Sequence, residues 1–248
     1  MPSRSLAITD AGYSFLAAGH ETTATSMQWA LLALCQHPHI QTRLRESLRL
    51  SGICPLTSLP DFASRISITS EVIDSIPYLH AFCLEVLRLY APVTLTLRTT
   101  ARTTTIVGHV IPKGTTVILG ISAINQNKAF WGADAEDFKP DRWLTSTTTT
   151  DPATGKEITT ERVNASGGAE SNYPFLTFLH GPRSCIGQGF AKAEFACLIA
   201  AWVAAFDSSF ADEAEEEKYK LGKKVEVQGG VTTRPKGGVR VKVVPVLE

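Results

Sequence analysis

No charge of one sign dominates this chain: 24 Lys and Arg face 24 Asp and Glu over 248 residues, giving a formal net charge of zero. Without a basic field or a Lys/Arg cluster, there is nothing to attract a phosphate backbone, which excludes a nucleic-acid partner. Cysteine is sparse, and no two of Cys35, Cys54, Cys83, Cys185 and Cys197 stand at metal-ligand spacing. That scatter, odd in number, excludes a disulfide framework and a zinc knuckle, and suits reduced thiols. A membrane span is missing too. The apolar stretch Ala11–Gln36 carries His20, Glu21 and several hydroxyls, costly in hydrocarbon, and Phe195–Phe206 falls short of the ~20 residues a span needs. Met1–Ile8 lacks the basic start and apolar run of a secretory leader. Nor does any Gly-x-Gly-x-x-Gly follow a strand, so a nucleotide-driven redox step would need a separate protein.

What remains is a helical pattern. Residues from about Leu6 to Gln36 read as one helix, ~45 Å long at 1.5 Å per residue and apolar around most of its girth, hence an interior element. His37-Pro38 ends it, because a residue before proline avoids helical dihedrals. Pro38–Leu50 reads as an amphipathic helix with Ile40, Leu44 and Leu48 on one stripe. Gly52–Ile76 reads as loop, and Pro77 opens a helix that runs to about Tyr90. Ile106–Leu119 alternates around Pro112-Lys113-Gly114, which predicts a β-hairpin. Residues 145–171 are rich in Thr, Ser, Gly and Asp and are expected as an exposed surface insertion with the composition of a disordered segment. A helix over Gly187–Phe206, a solvated acidic run at Asp212–Glu217 and short strands within Val225–Val244 complete the chain. The fold class is mainly α with small β-sheets.

The most informative segment is Phe178-Leu179-His180-Gly181-Pro182-Arg183-Ser184-Cys185-Ile186-Gly187. Here a cysteine closes a Gly/Pro-rich loop and immediately precedes a helix, where free amide groups favour an anion, so Cys185 should exist readily as thiolate. Gly181 and Gly187 let the backbone approach a bulky planar group, and Arg183 offers a fork for a carboxylate. A buried cap cysteine is the ordinary reading of such a residue in isolation. The complete pattern Phe-x-x-Gly-x-Arg-x-Cys-x-Gly instead resembles the heme-binding loop of the cytochrome P450 family.

That resemblance implies that Cys185 is the proximal ligand of a heme (iron protoporphyrin IX), that Arg183 contacts a propionate, and that Phe178 shields the sulfur beside Gly187. A thiolate ligand pushes electron density onto iron and favours O–O cleavage. Further matches follow in family order. Ala18-Gly19-His20-Glu21-Thr22-Thr23 resembles the oxygen-activation segment. Its Thr22 can return its hydroxyl to the Ala18 carbonyl and loosen the helix, while Glu21 and Thr22 provide the carboxylate and alcohol of a proton relay. Glu85 and Arg88 share a helix face and, with Arg142 of Phe138-Lys139-Pro140-Asp141-Arg142-Trp143, resemble the family's structural triad. Arg98 resembles a second propionate-binding arginine. Val93–Leu97 and Val231-Thr232 fall where the family lines its substrate pocket. Departures are small: Ala91 stands where a second proline is common, and Asn125-Gln126-Asn127 where a basic residue is usual.

The resemblance implies a multihelical heme fold, represented by its C-terminal part only: one partial domain over residues 1–248. It implies a monooxygenase that inserts one atom of dioxygen into a small lipophilic substrate, with electrons from an NADPH-cytochrome P450 reductase or similar donor. A full-length relative is expected at the cytosolic face of the endoplasmic reticulum membrane; for this chain, without a membrane segment, location is open. With the anchor, the lid helices and most of the main sheet expected upstream, the chain reads as a truncated product. A non-catalytic remnant that binds heme weakly, and aggregates through its exposed apolar helices, is therefore the competing expectation. A heme protein performing rearrangement or dehydration without dioxygen is a third, disfavoured by the intact Glu21-Thr22 pair.

Overall fold

The computed structural model describes residues 4–53, 69–150, 155–171 and 173–246; side chains before residue 16 and that of residue 158 are also left aside. Cys54 and most of the expected Gly52–Ile76 loop lie outside the described residues. The long helix α1 spans Arg4–Gln36 and is followed at once by α2, Pro38–Leu50, with Pro38 in its first turn. A short helix α3, Ser70–Asp74, interrupts the expected loop; its Val72 amide donates to the Thr69 hydroxyl, satisfying one of the free amides of the first turn. Helix α4 covers Pro77–Leu89 and α7, the other long element, Gln188–Ala205.

These four longer helices build the core. Trp29, Leu32 and Leu34 of α1, Ile40, Leu44 and Leu48 of α2, Leu79, Phe82 and Val86 of α4, and Phe195, Ile199 and Val203 of α7 pack as one cluster. Because α7 is apolar on all sides, it can sit only inside such a bundle. Along the described side chains of α1, Trp29–Leu34 are largely buried, whereas Leu16 is 67% exposed.

Among the described residues, five antiparallel two-stranded sheets decorate the bundle. β1 (Leu95–Thr99) pairs with β4 (Thr116–Gly120), and β2 (Thr104–Ile106) with β3 (His109–Ile111). This corrects the expected hairpin across Pro112-Lys113-Gly114. The two-residue reversal lies at Val107-Gly108, both at positive φ (48° and 79°), the twist that a tight hairpin needs. The proline turn merely hands the chain from β3 to β4. Helices α5 (Ile121–Asn125) and α6 (Lys128–Trp131) follow, then a 3-10 turn at Pro140–Trp143.

Residues 145–171, expected to be irregular, form in large part a hairpin of β5 (Leu144–Thr150) with β6 (Glu157–Val163). Threonine is β-branched and favours a pleated surface, so a Thr-rich run reads as strand once a partner is available. Gly167, beyond the hairpin, lies against Trp131 and Trp143, where a Cβ would come within 2.7 Å of the Trp131 ring. The segment is therefore anchored at its exit. Phe206 leaves α7 and opens β7 (Phe206–Phe210), which pairs with β10 (Val241–Pro245). The acidic run is a short helix, α8 (Glu213–Lys218), and is not wholly solvated: Glu215 is buried and accepts from the Arg240 guanidinium at 3.0 Å. β8 (Val227–Gly229) and β9 (Thr233–Pro235) make the last hairpin. No helix among the described residues is long and apolar enough to cross a membrane.

Candidate active site

A cavity of about 610 Å³ opens between the Ala18–Ser26 stretch of α1 and the loop that enters α7. Most of its wall is apolar, with Ala18, Leu87, Val93, Ile121 and Phe190 among the lining residues. Its size lies within the range of small-molecule sites. Thr22 lines it from α1; Phe178, Arg183, Cys185 and Gly187 line it from the loop. Five of the seven residues expected at the cofactor and the chemistry thus converge on one space.

The loop is closed by short backbone bonds. The Cys185 amide donates to the Phe178 carbonyl at 2.8 Å, and Ser184 donates to Gly181 at 3.0 Å across the 3-10 turn Gly181–Arg183. Leu179 is held at φ 59°, a conformation seldom adopted by a branched side chain. Constraint of this kind presents Cys185 at the entry of α7, ahead of the Gly187 cap. Among the described cysteines it is the exposed one; Cys35 and Cys83 are buried. Burial pushes the Cys35 thiol up to about 12 and raises Cys83 and Cys197 as well, which keeps those thiols protonated and unfit to bind iron. Among the described cysteines, Cys185 is the one that lines the cavity.

Two guanidiniums stand by it. Arg183 makes no hydrogen bond or ion pair among the described residues, and Arg98 donates only to its neighbours Thr96 and Leu97, at 3.0 and 2.8 Å. Arg98 lies outside the main cavity, in an adjoining one of about 590 Å³ that shares Leu179 and Arg183 with it. A Cβ at Gly19 or Gly187 would meet no protein atom within 4 Å, so the space beside both glycines is left to a ligand. One sulfur, two cations without a carboxylate and glycine-lined walls suit a planar dianionic macrocycle with a central metal; the residues fit a heme.

On the opposite wall, the Thr22 hydroxyl donates to the Ala18 carbonyl at 2.8 Å, and Ser26 repeats the motif by donating to the Thr22 carbonyl at 2.9 Å. Each hydroxyl competes for a helical acceptor and weakens the ladder at that turn. Glu21 does not line the cavity. Its carboxylate accepts from the Thr232 hydroxyl at 2.5 Å. A carboxylate that composition alone did not single out, Glu194 of α7, does line it and accepts from the Thr23 hydroxyl at 3.1 Å. Its signal in the sequence was a lone acid within the apolar stretch Phe190–Ala205.

Behind the cavity lies Glu85, fully buried with Arg88. Arg88 donates to both carboxylate oxygens at 2.8 Å, and Arg142 adds a bond at 2.9 Å. The Lys139 amide and the Trp143 indole complete the shell, each at 2.8 Å. Arg88 spends its remaining donors on the carbonyls of Asn125, Ala135 and Asp137. Five donors thus satisfy one carboxylate, and the pair ties α4 to the stretch before the cysteine loop.

Among the described residues, one exposed cysteine at a loop–helix junction and a hydroxyl-loosened helix thus line the same apolar cavity of a helical bundle. Residues 6–238 match the family model described as Cytochrome P450, and the chain belongs to that family. It is 47% identical over 235 residues to the cytochrome P450 monooxygenase sphH of Aspergillus fumigatus, covering 94% of this chain and 38% of that protein. It is 40% identical to the monooxygenase FUM15 of Gibberella moniliformis over 94% of this chain and 41% of the relative, and 36% identical to ALT8 of Alternaria alternata over 96% and 41%. The chain spans about two fifths of the length of these relatives.

Proposed function

We propose that this chain belongs to a heme-thiolate monooxygenase acting on a lipophilic substrate. The observation that carries this reading is the opposition of Cys185 and Thr22 across one apolar cavity. When bound, the heme supplies dioxygen activation, with the thiolate raising electron density at the iron. The chain's own residues hold and surround it. Cys185 would hold its iron through the sulfur, Phe178 would cover that sulfur, and Arg183 and Arg98 would receive the propionates. The apolar wall of Val93, Leu87 and Ile121 excludes water and favours a hydrocarbon-like substrate. Thr22 and Glu21 are the alcohol and acid that would move protons into the cavity; because Glu21 is held by Thr232, it must turn to reach Thr22. Electrons come from a separate flavin-carrying reductase at the endoplasmic reticulum, as the resemblance to eukaryotic monooxygenases implies.

The test is the spectrum of the reduced, carbon monoxide-bound holoprotein. Red-shifted absorption of the thiolate type, lost on Cys185→Ser, is expected; a histidine-type spectrum, or one unchanged by the substitution, overturns the assignment. A second reading, a fragment without activity of its own, is favoured by one observation. Away from the cavity, Leu16 of α1 is 67% exposed, apolar surface that a further part of a longer protein would cover. On that reading the 248-residue chain alone takes up no heme and gives no Soret band.

A further inference from the structure

We infer that Thr232 is the positioning residue for Glu21: its hydroxyl latches the acid outside the cavity, and the latch is set by the cavity wall. The inference rests on the proton-relay reading of Glu21 and Thr22. Thr232 lies in the turn between β8 and β9 and is only 7% exposed, so its hydroxyl has little water to turn to. It gives its proton to Oε1 of Glu21, a side chain exposed on α1. A donor from a nearly dry position to a carboxylate is a strong hydrogen bond.

The turn has almost no freedom to wander. Gly229 holds a φ of 142°, and a Cβ there would collide with the Thr232 carbonyl, so the turn closes only around glycine. On one side Val93 and Thr232 form an antiparallel bridge, and the Thr233 amide donates to the Pro92 carbonyl at 2.9 Å. On the other side the Trp29 indole donates to the Thr233 carbonyl at 2.9 Å. Trp29 stands eight residues after Glu21 on α1, about two turns further along the helix, and reaches the same turn. The turn is therefore fastened to α1 at two points and to Pro92-Val93 at two more.

Pro92 and Val93 are also cavity wall. A substrate that presses on them presses on the strand that carries Thr232, and the acid is the group at the end of that linkage. Neither relay group is bonded to the other in this arrangement: Thr22 donates to Ala18, and Glu21 accepts from Thr232. With the cavity free of substrate, the acid is kept away from the reacting side and protons are withheld. Occupation of the cavity loosens the latch and lets the carboxylate swing toward Thr22.

Two measurements test this without knowledge of the substrate. The first is a double-mutant cycle of Glu21→Ala and Thr232→Val in denaturant unfolding of the full chain. A coupling of about tenfold in the unfolding constant, 1.4 kcal/mol, is expected for a hydrogen bond to a charged group. The second is hydrogen peroxide release by the heme-loaded protein, supplied with electrons by an NADPH-driven flavin reductase but given no substrate. Each peroxide consumes one dioxygen, two electrons and two protons, so it reports protons arriving too early. Thr232→Val should raise this release severalfold, Thr232→Ser should restore it, and Glu21→Ala should abolish the rise in the double variant. Absence of unfolding coupling, or a rise that persists when Glu21 is alanine, overturns the latch. If Glu21→Ala and Thr22→Val leave turnover of an accepted substrate unchanged while the coupling stands, the relay reading fails and the inference falls with it.

Discussion

The Glu85 cluster and the cysteine loop use charge in opposite ways. At Glu85 every acceptor has a donor, both partners are fully buried, and the bonds run to backbone carbonyls of three separate positions. Around Cys185 the sulfur is exposed, Arg183 has no partner among the described residues, and Arg98 finds only its own strand. The first region is complete as it stands. The second becomes complete only with a ligand. Residues that are satisfied by the protein specify the fold, whereas residues the protein leaves unsatisfied specify what it binds.

The largest break in that contrast comes from Glu85→Ala. Removing the carboxylate strands the Arg88 guanidinium in a dry site, and breaking a buried pair in this way costs ~3–5 kcal/mol. The expected outcome is a denaturant midpoint lowered by most of the stability of a typical domain, with little folded protein recovered at about 37 °C. An unfolding free energy within about 1 kcal/mol of wild type would show the cluster to be dispensable.

The open side breaks differently. Arg183→Ala and Arg98→Ala remove groups that the apoprotein does not use, so their unfolding curves should overlay wild type. On the proposed assignment each would lose one charge-assisted contact to a propionate, so heme retention should fall about tenfold for each. Retention is measured by the rate of heme transfer to an apoglobin acceptor. Loss of stability without loss of heme would move these arginines to the closed side of the comparison.

The same division explains what could be read from the residues alone. Helix boundaries were legible to within a residue or two where proline or a glycine-rich turn marks them: α2 starts at Pro38 and α4 at Pro77, because their rings fit only the first turn. The cysteine loop was legible as a motif because its glycines, arginine and cysteine have no cheaper structural use at that spacing. Strand pairing was not. Val107-Gly108 supplies the hairpin reversal with a valine at positive φ, which no propensity favours. The threonine run that follows Leu144 shows its composition without revealing that β5 finds its partner in β6. Glu21 shows the same limit at the site. Its neighbour in the chain is Thr22, but its hydrogen-bond partner, Thr232, is 211 residues away. Adjacency along the chain placed the acid beside the alcohol; only packing shows which hydroxyl it contacts.

The smallest expected effect sharpens the closed side further. His37, between α1 and α2, stacks on Phe138 with ring centroids 5.2 Å apart, and burial lowers its pKa from 6.5 to about 4, with His39 adding repulsion. In the unfolded chain this imidazole takes up a proton below pH 6.5, while in the folded chain it resists until about pH 4. The unfolded state therefore binds more protons throughout that window, and stability must fall as the pH is lowered through it. Above the unfolded value both states are neutral and the contribution is flat. His37→Phe keeps the stack on Phe138 and cannot titrate, so its unfolding midpoint should lose less between pH 6.5 and 4 than that of the wild type. Parallel curves for the two proteins would mean that His37 is hydrated in solution and that the closed region ends short of the junction between the first two helices.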